Sequence, residues 1–438
     1  MNQSISMRWA EFVCGLALAG IPKPTLEKAK LRLLDSLATG LAARGLKVPG
    51  LALAFVGGSN GPATVLGHAQ RMAPIDAAFV NATMINGRSE DDFLQKSHPG
   101  ALTIPSALAV AEETGRSGAD VLTAIVAGYE IVGRVYMAGP GMLPRFRASG
   151  VAGTVGAAAT GAKMYGLDVP TTVNALGCSA VFSHGFGQGY LSGTNEVKLN
   201  VGMASRNGLS AAILAKIGAT ASALAFEGDA GFYRAFAGSL DHLEEATRDL
   251  GTRFLIDETV YKECPVCIFT QTPIALGRSI ASEVNAKDIE RVTIRAPELT
   301  YTNPGFRNVA PYKTHLQAVV SAKFCTAAAL LGRPVESHEF YDHLEDGEVL
   351  SLAERIDLQV RPEDTERIDI EIVQRDGVKR VGGIEHDTLF PTHDKIVAKF
   401  RRLGTGLPFD TEKIIATVMR LEEEKDIHAL TDLLRGAQ

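Results

Sequence analysis

The chain of 438 residues is long for one hydrophobic core, so two domains are expected. Hydrophobic residues make up 46% and charged residues 21%, near the globular average, which argues against disorder. A net charge of −6, with both signs spread along the chain, lacks the basic footprint of a nucleic-acid binder, and no nucleic-acid partner is expected.

Near the N-terminus Arg8 is the only positive lead and Glu11 interrupts the apolar run behind it, so no secretory signal is read. The first half then reads as helix after helix. Pro24-Thr25 opens LEKAKLRLLDSLATGLAARG, which Gly45 stops. TVLGHAQRMAP reads as a short strand or hairpin, and Pro74-Ile75-Asp76 starts a helix through AAFVNATMING. Further helical segments are ALTIPSALAVAEETG, ADVLTAIVAGYEIVGRVYM, GTVGAAATGAKMYG and ASRNGLSAAILAKIGATA. Gly153, Gly156 and Gly161 lower helix propensity, and their expected purpose is close approach of neighbouring helices. The longest stretch without Asp, Glu, Lys or Arg, from Val169 to Asn195, is studded with polar residues and does not read as a membrane span.

Around residue 258 the texture changes. DIERVTIRAPEL and ERIDIEIVQRDGVKRVGG alternate apolar and polar residues, the period of half-buried strands, and HLQAVVSAKFCTAAALLGRPV between them reads as one helix. Helical period returns in DKIVAKFRRL, TEKIIATVMRLEEE and DIHALTDLLRG. The fold class is therefore mainly α. A large all-helical domain comprises residues 1–258 with 394–438, and a smaller α+β domain comprises residues 259–393.

Five cysteines (Cys14, Cys178, Cys264, Cys267 and Cys325) are few and odd in number, which points to a reducing, cytoplasmic setting without a disulfide framework. CPVC has the spacing of a zinc-ligand pair, but no second pair completes a closed site, and no metal is expected. HGFGQGYLSG, from His184, matches neither a dinucleotide fingerprint nor a phosphate loop and reads as a turn between helices. SHEFYDH sets His338 and His343 five apart, not the spacing of a helical metal pair. No serine elbow is present. SEDDFLQKSHPG, Ser89 to Gly100, is left: read alone, a solvated acidic cluster followed by a turn histidine.

Its context changes that reading. DAAFVNATMING, the acids, HPGALTIPSALAVAEETGRSGADVLTAIVAGYEIVGRV, FRASGVAGTVGAAATGAKMYGLDVPTTVNALG, KLNVGMASRNGLSAAILAKIGATA, FEGDAGFYRAF, KECPVCIFTQ and SAKFCTAAALLGRPV occur in that order. Together they resemble the MmgE/PrpD family over most of the chain. The resemblance implies a helical domain built from both ends of the chain, a smaller lid domain, a homodimer, a site between the domains and no metal or organic cofactor. It implies a lyase or isomerase that moves a proton next to a carboxylate of a small di- or tricarboxylate. Asp91 and Asp92 match the acidic motif, His98 the histidine before its turn, and Lys198 the lysine opening a glycine-containing helix. These four are the expected catalytic residues; Arg147, Ser149, Gln271 and Lys262 are the expected substrate contacts.

The chain departs from the family pattern at several positions. Ser89 stands at an aspartate, Phe93 at a threonine, Arg147 at a histidine, Gln271 at a histidine, Phe324 at a tyrosine and Asn200 at a histidine. An arginine, a glutamine and a phenylalanine do not exchange protons near neutral pH, so chemistry needing one proton-transfer group and a cationic clamp fits better than dehydration. Decarboxylation, one-base isomerisation or loss of a good leaving group would qualify. A family member without the ancestral reaction, acting as a binding or regulatory protein, is the alternative.

Overall fold

The computed structural model describes residues 3–362, 367–377, 379–384 and 392–436. Helices run in chain order α1 (Ile5–Gly15), α2 (Lys23–Ala42), α3 (Lys47–Phe55), α4 (Pro74–Gly87), α5 (Pro99–Thr114), α6 (Gly118–Met137) and α7 (Ala148–Tyr165). They continue as α8 (Val169–Phe182), α9 (Gln188–Ser192), α10 (Glu196–Lys216), α11 (Phe232–Phe236), α12 (Ile268–Ala281) and α13 (Glu298–Tyr301). The last are α14 (His315–Val319), α15 (Ala322–Leu330), α16 (Gly347–Glu354), α17 (His393–Gly404), α18 (Thr411–Met419) and α19 (His428–Thr431). The strands are β1 (Ala63–Thr64), β2 (Arg71–Met72), β3 (Ile289–Ala296), β4 (Ile356–Val360), β5 (Ile368–Gln374) and β6 (Lys379–Ile384). Two compact units result: Met1–Phe186 with Val197–Val260 and Pro391–Gln438, and Gly187–Glu196 with Tyr261–Phe390.

The first unit is helical apart from the β1–β2 hairpin, paired antiparallel through Ala63–Met72 and Thr64–Arg71. Local chemistry sets its helix ends. α6 starts in a capping box, with Ser117 Oγ accepting from Asp120 N while Asp120 Oδ2 accepts from Ser117 N. α5 carries Pro99 in its first turn and ends at left-handed Gly115. α5, α6 and α7 pack on one another at the centre of this unit. Small residues permit that approach: a Cβ on Gly156 of α7 would lie 2.2 Å from Val132 Cγ2 of α6. The C-terminal α17 packs on α2.

The second unit contains a four-stranded sheet of order β4-β3-β5-β6. β3 pairs parallel with β4 and antiparallel with β5, so Val292 faces Ile356 on one side and Ile372 on the other. β5 alternates buried and half-buried residues, as its period implies, and α12 covers the face formed by β5 and β6. One local expectation needs correction. HLQAVVSAKFCTAAALLGRPV is not one helix; α14 ends at Val319 and Ser321 caps α15, its Oγ accepting from Phe324 N at 3.2 Å. CPVC forms a turn leading into α12. No disulfide joins any of the five cysteines. No described helix is long and apolar enough to cross a membrane.

Candidate active site

The Ser89–Gly100 loop is buried. Glu90, Asp91 and Asp92 are each fully shielded from solvent, which corrects the reading of a solvated cluster. Each acid has its own partners. Glu90 meets Arg88 Nε at 3.1 Å and Arg402 Nη2 of α17 at 2.5 Å, while its carbonyl accepts from Lys399 Nζ at 2.6 Å. Lys399 also pairs with Asp35 of α2 at 2.7 Å. Helix α17 thus ties down the loop's first acid.

Asp92 faces α5 and α6. Its Oδ1 accepts from Gly100 N at 3.1 Å and its Oδ2 from Tyr129 OH at 2.5 Å. Burial raises its carboxyl to about 6, against the opposing pull of Arg32 and of the Tyr129 hydrogen bond. Burial and the neighbouring Asp92 charge push Tyr129 well above the ordinary phenol range. Gly100 is required at this point, because a Cβ would lie 2.4 Å from Ser36 Oγ and 2.9 Å from Asp92 Oδ1. Asp92 therefore latches the start of α5.

Asp91 turns the other way. Its Oδ2 accepts from Asn86 Nδ2 at 2.8 Å and lies 3.3 Å from His98 Nδ1, an ion pair when that ring is protonated. His98 Nδ1 is also 2.8 Å from the Asp92 carbonyl oxygen. With Nδ1 donating there, Nε2 is the basic nitrogen of the neutral ring. The backbone leading to His98 is strained. Leu94 and Ser97 close a two-residue turn whose central Gln95 and Lys96 have φ of 45° and 61°, and Ser89 has φ of 57°. Such a turn favours Asn-Gly, and left-handed residues with side chains persist where the surroundings fix them, often at functional sites.

Asn86, at the end of α4, is the hub. Besides Asp91, it meets Arg147 Nη2 at 3.4 Å through Oδ1, and its carbonyl accepts from Lys198 Nζ at 2.7 Å. Lys198 also donates a short hydrogen bond to Ser89 Oγ. Arg147, buried, is the N-cap of α7, and buried Ser149 lies in the first turn of the same helix. His98 is likewise the N-cap of α5. Arg147 and Lys198 therefore meet Asn86 through its side chain and its carbonyl, and His98 joins them through Asp91, at two helix N-termini whose dipoles favour anions.

Gln271 and Lys262 belong to the second unit. Gln271 Oε1 accepts from the Glu263 and Cys264 amides at 3.1 and 3.2 Å, and Nε2 donates to Cys264 O at 2.8 Å and Val266 O at 3.4 Å. Its amide is engaged by the turn main chain, which does not favour a substrate contact. Lys262 is buried. Phe324 packs edge-on against Tyr312 in an aromatic core. Among the described residues one cluster has metal-ligand character: His315, His338 and Asp342. It pairs His338 with His315, their rings stacked at 4.3 Å, rather than with His343, and His315 Nδ1 meets Asp342 Oδ1 at 3.0 Å. A cavity of about 560 Å³ between α8 and the segment around α11 has no charged lining residue, so it offers a carboxylate no cation.

Sequence reasoning missed Asn86 and Tyr129. Asn86 lies inside the quoted DAAFVNATMING segment, but spacing does not reveal a hub that works partly through its backbone carbonyl.

The family model for the MmgE/PrpD N-terminal domain matches residues 7–243, and that for the MmgE/PrpD C-terminal domain matches residues 264–423. The chain is 26% identical to the human protein named cis-aconitate decarboxylase, over 100% of this chain and 95% of the human one. It is 27% identical to cis-aconitate decarboxylase-like protein oryM of Aspergillus oryzae, over 99% and 98% respectively. It is 25% identical to cis-aconitate decarboxylase of Aspergillus terreus, over 97% and 94%.

Proposed function

From the premise that the chain belongs to the MmgE/PrpD family, we propose that it is a lyase that decarboxylates a small tricarboxylate of the cis-aconitate type without a resident cofactor. The observation that carries this reading is the meeting of His98, Arg147 and Lys198 around Asn86 and Asp91. The full-length similarity to proteins named cis-aconitate decarboxylase supports the reaction class.

Arg147 and Lys198 hold carboxylates, the first in a fork and the second as a point charge. The bond from a chain carbon to one carboxylate breaks and carbon dioxide leaves. The bonding pair passes to the chain carbon and spreads onto an adjoining conjugated carboxylate, where the two cations oppose the growing charge. Protonated His98, its Nδ1 held by the Asp92 carbonyl and beside Asp91, gives the Nε2 proton to carbon. A C–H bond forms, and solvent reprotonates the ring. Only one proton-transfer residue is needed, which suits a chain with Gln271 and Phe324 at two altered positions.

The test is carbon dioxide release from a panel of tri- and dicarboxylates. His98→Ala is expected to lower turnover by roughly 100- to 10,000-fold with an unchanged circular dichroism spectrum. Full turnover in that variant would end the assignment. Gln271 and Phe324 favour the second reading, a family member that binds without turning over. Activity on any carboxylate, abolished by one site substitution, would dispose of it.

A further inference from the structure

His184 follows α8 and opens the glycine run that reads in sequence as a turn. Both its ring nitrogens are shielded from solvent, and neither has a hydrogen-bond partner among the described residues. A buried polar group without a partner calls for an explanation. The surroundings are specific. Arg147 N donates to Gly185 O at 3.1 Å, fixing the residue after His184 to the start of α7. Asn200 of α10 closes the other side: a Cβ on Gly150 would lie 2.2 Å from His184 O and 2.6 Å from Asn200 Oδ1. Gly150 is thus needed for three elements to meet here. Asn200 Oδ1 also lacks a partner among the described residues.

We propose that His184 and Arg147 form a carboxylate subsite in which the imidazole takes up a proton as an anion arrives and donates the resulting N–H to it. This rests on the reading above and deepens it, because it adds a second ring beside the position where the family histidine is replaced by Arg147. The electrostatics support it. Burial first, and the Arg147 charge second, lower His184 from its ordinary value, so the empty subsite holds a neutral ring. The groups from the other packed elements, Ser183 at the end of α8 and Asn200 on α10, are neutral, while Lys198, also on α10, donates to Asn86 O and Ser89 Oγ. An arriving carboxylate offsets the Arg147 charge and supplies an acceptor, which reverses the second cause. The balance is one proton from buffer onto one ring nitrogen, with no bond broken in the ligand.

The test uses citrate as a stable tricarboxylate, titrated calorimetrically into the full chain near pH 7 in buffers of differing ionisation enthalpy. The wild type is expected to take up protons on binding. His184→Asn is expected to bind citrate with at least half of that uptake lost and with a flatter dependence of affinity on pH. His184→Gln serves if the first variant fails to fold. Binding with undiminished uptake in either variant would overturn the subsite and leave the lyase reading standing. Absence of citrate binding by the wild type at millimolar concentration would overturn the subsite as well. Absence of turnover on every carboxylate, with proton-coupled citrate binding intact, would instead remove the lyase reading.

Discussion

Two segments that resemblance marks as functional treat their polar groups in opposite ways. In the Ser89–Gly100 loop, three buried carboxylates meet the His98 imidazole, Arg88, Arg402 of α17 and Tyr129 of α6, and charge decides the geometry. In the turn before α12, Gln271 stitches neutral main-chain groups together. A buried carboxylate gives a site its field and its response to pH. A buried amide gives a turn its shape at any pH. The contrast shows how Gln271 serves the turn through neutral groups, while the loop depends on the charges of Glu90, Asp91 and Asp92.

The larger expected effect lies in the loop. With its carboxyl raised to about 6 from 3.8, folded Asp92 holds its proton more tightly than the unfolded chain does. Its contribution to stability is therefore fully present below the lower value and is lost as pH rises through the higher one, by on the order of 3 kcal/mol. Asp92→Asn removes that titration. Denaturant unfolding of both proteins from pH 4 to pH 7.5 should show the variant gaining on the wild type by about this amount. Parallel pH profiles would break the contrast. The smaller effect lies in the turn. Gln271→Ala leaves the Glu263 and Cys264 amides without their acceptor and is expected to cost about 1–3 kcal/mol. That loss should be equal at pH 5.5 and pH 8, and turnover per folded molecule should be kept within a few-fold. A strongly pH-dependent loss, or abolished turnover, would place Gln271 with the charged set instead.

Much of the helical framework was legible. α2, α4, α5, α6, α7 and α10 announce themselves by apolar period and by their prolines and glycines, and β3 and β5 by alternation. The break at Ser321 was hidden because the apolar pattern runs straight through it, and a serine cap is visible only once the chain has turned. The burial of Glu90 was not legible because its partners, Lys399 and Arg402, lie 309 and 312 residues away. Resemblance supplied His98, Arg147 and Lys198, whereas Asn86 and His184 escaped it. Their importance comes from backbone carbonyls, left-handed residues and the close approach at Gly150, none of which leaves a spacing pattern.

The central claim is that Arg147 and Lys198 serve one anion. Citrate affinity measured calorimetrically for the wild type, Arg147→Gln, Lys198→Gln and the double variant tests it as a closed cycle. Two cations on the same ligand should lower affinity in each single variant and show a coupling above about 0.5 kcal/mol in the double one. Losses that add within that margin, or affinity unaffected by either change, would contradict the account.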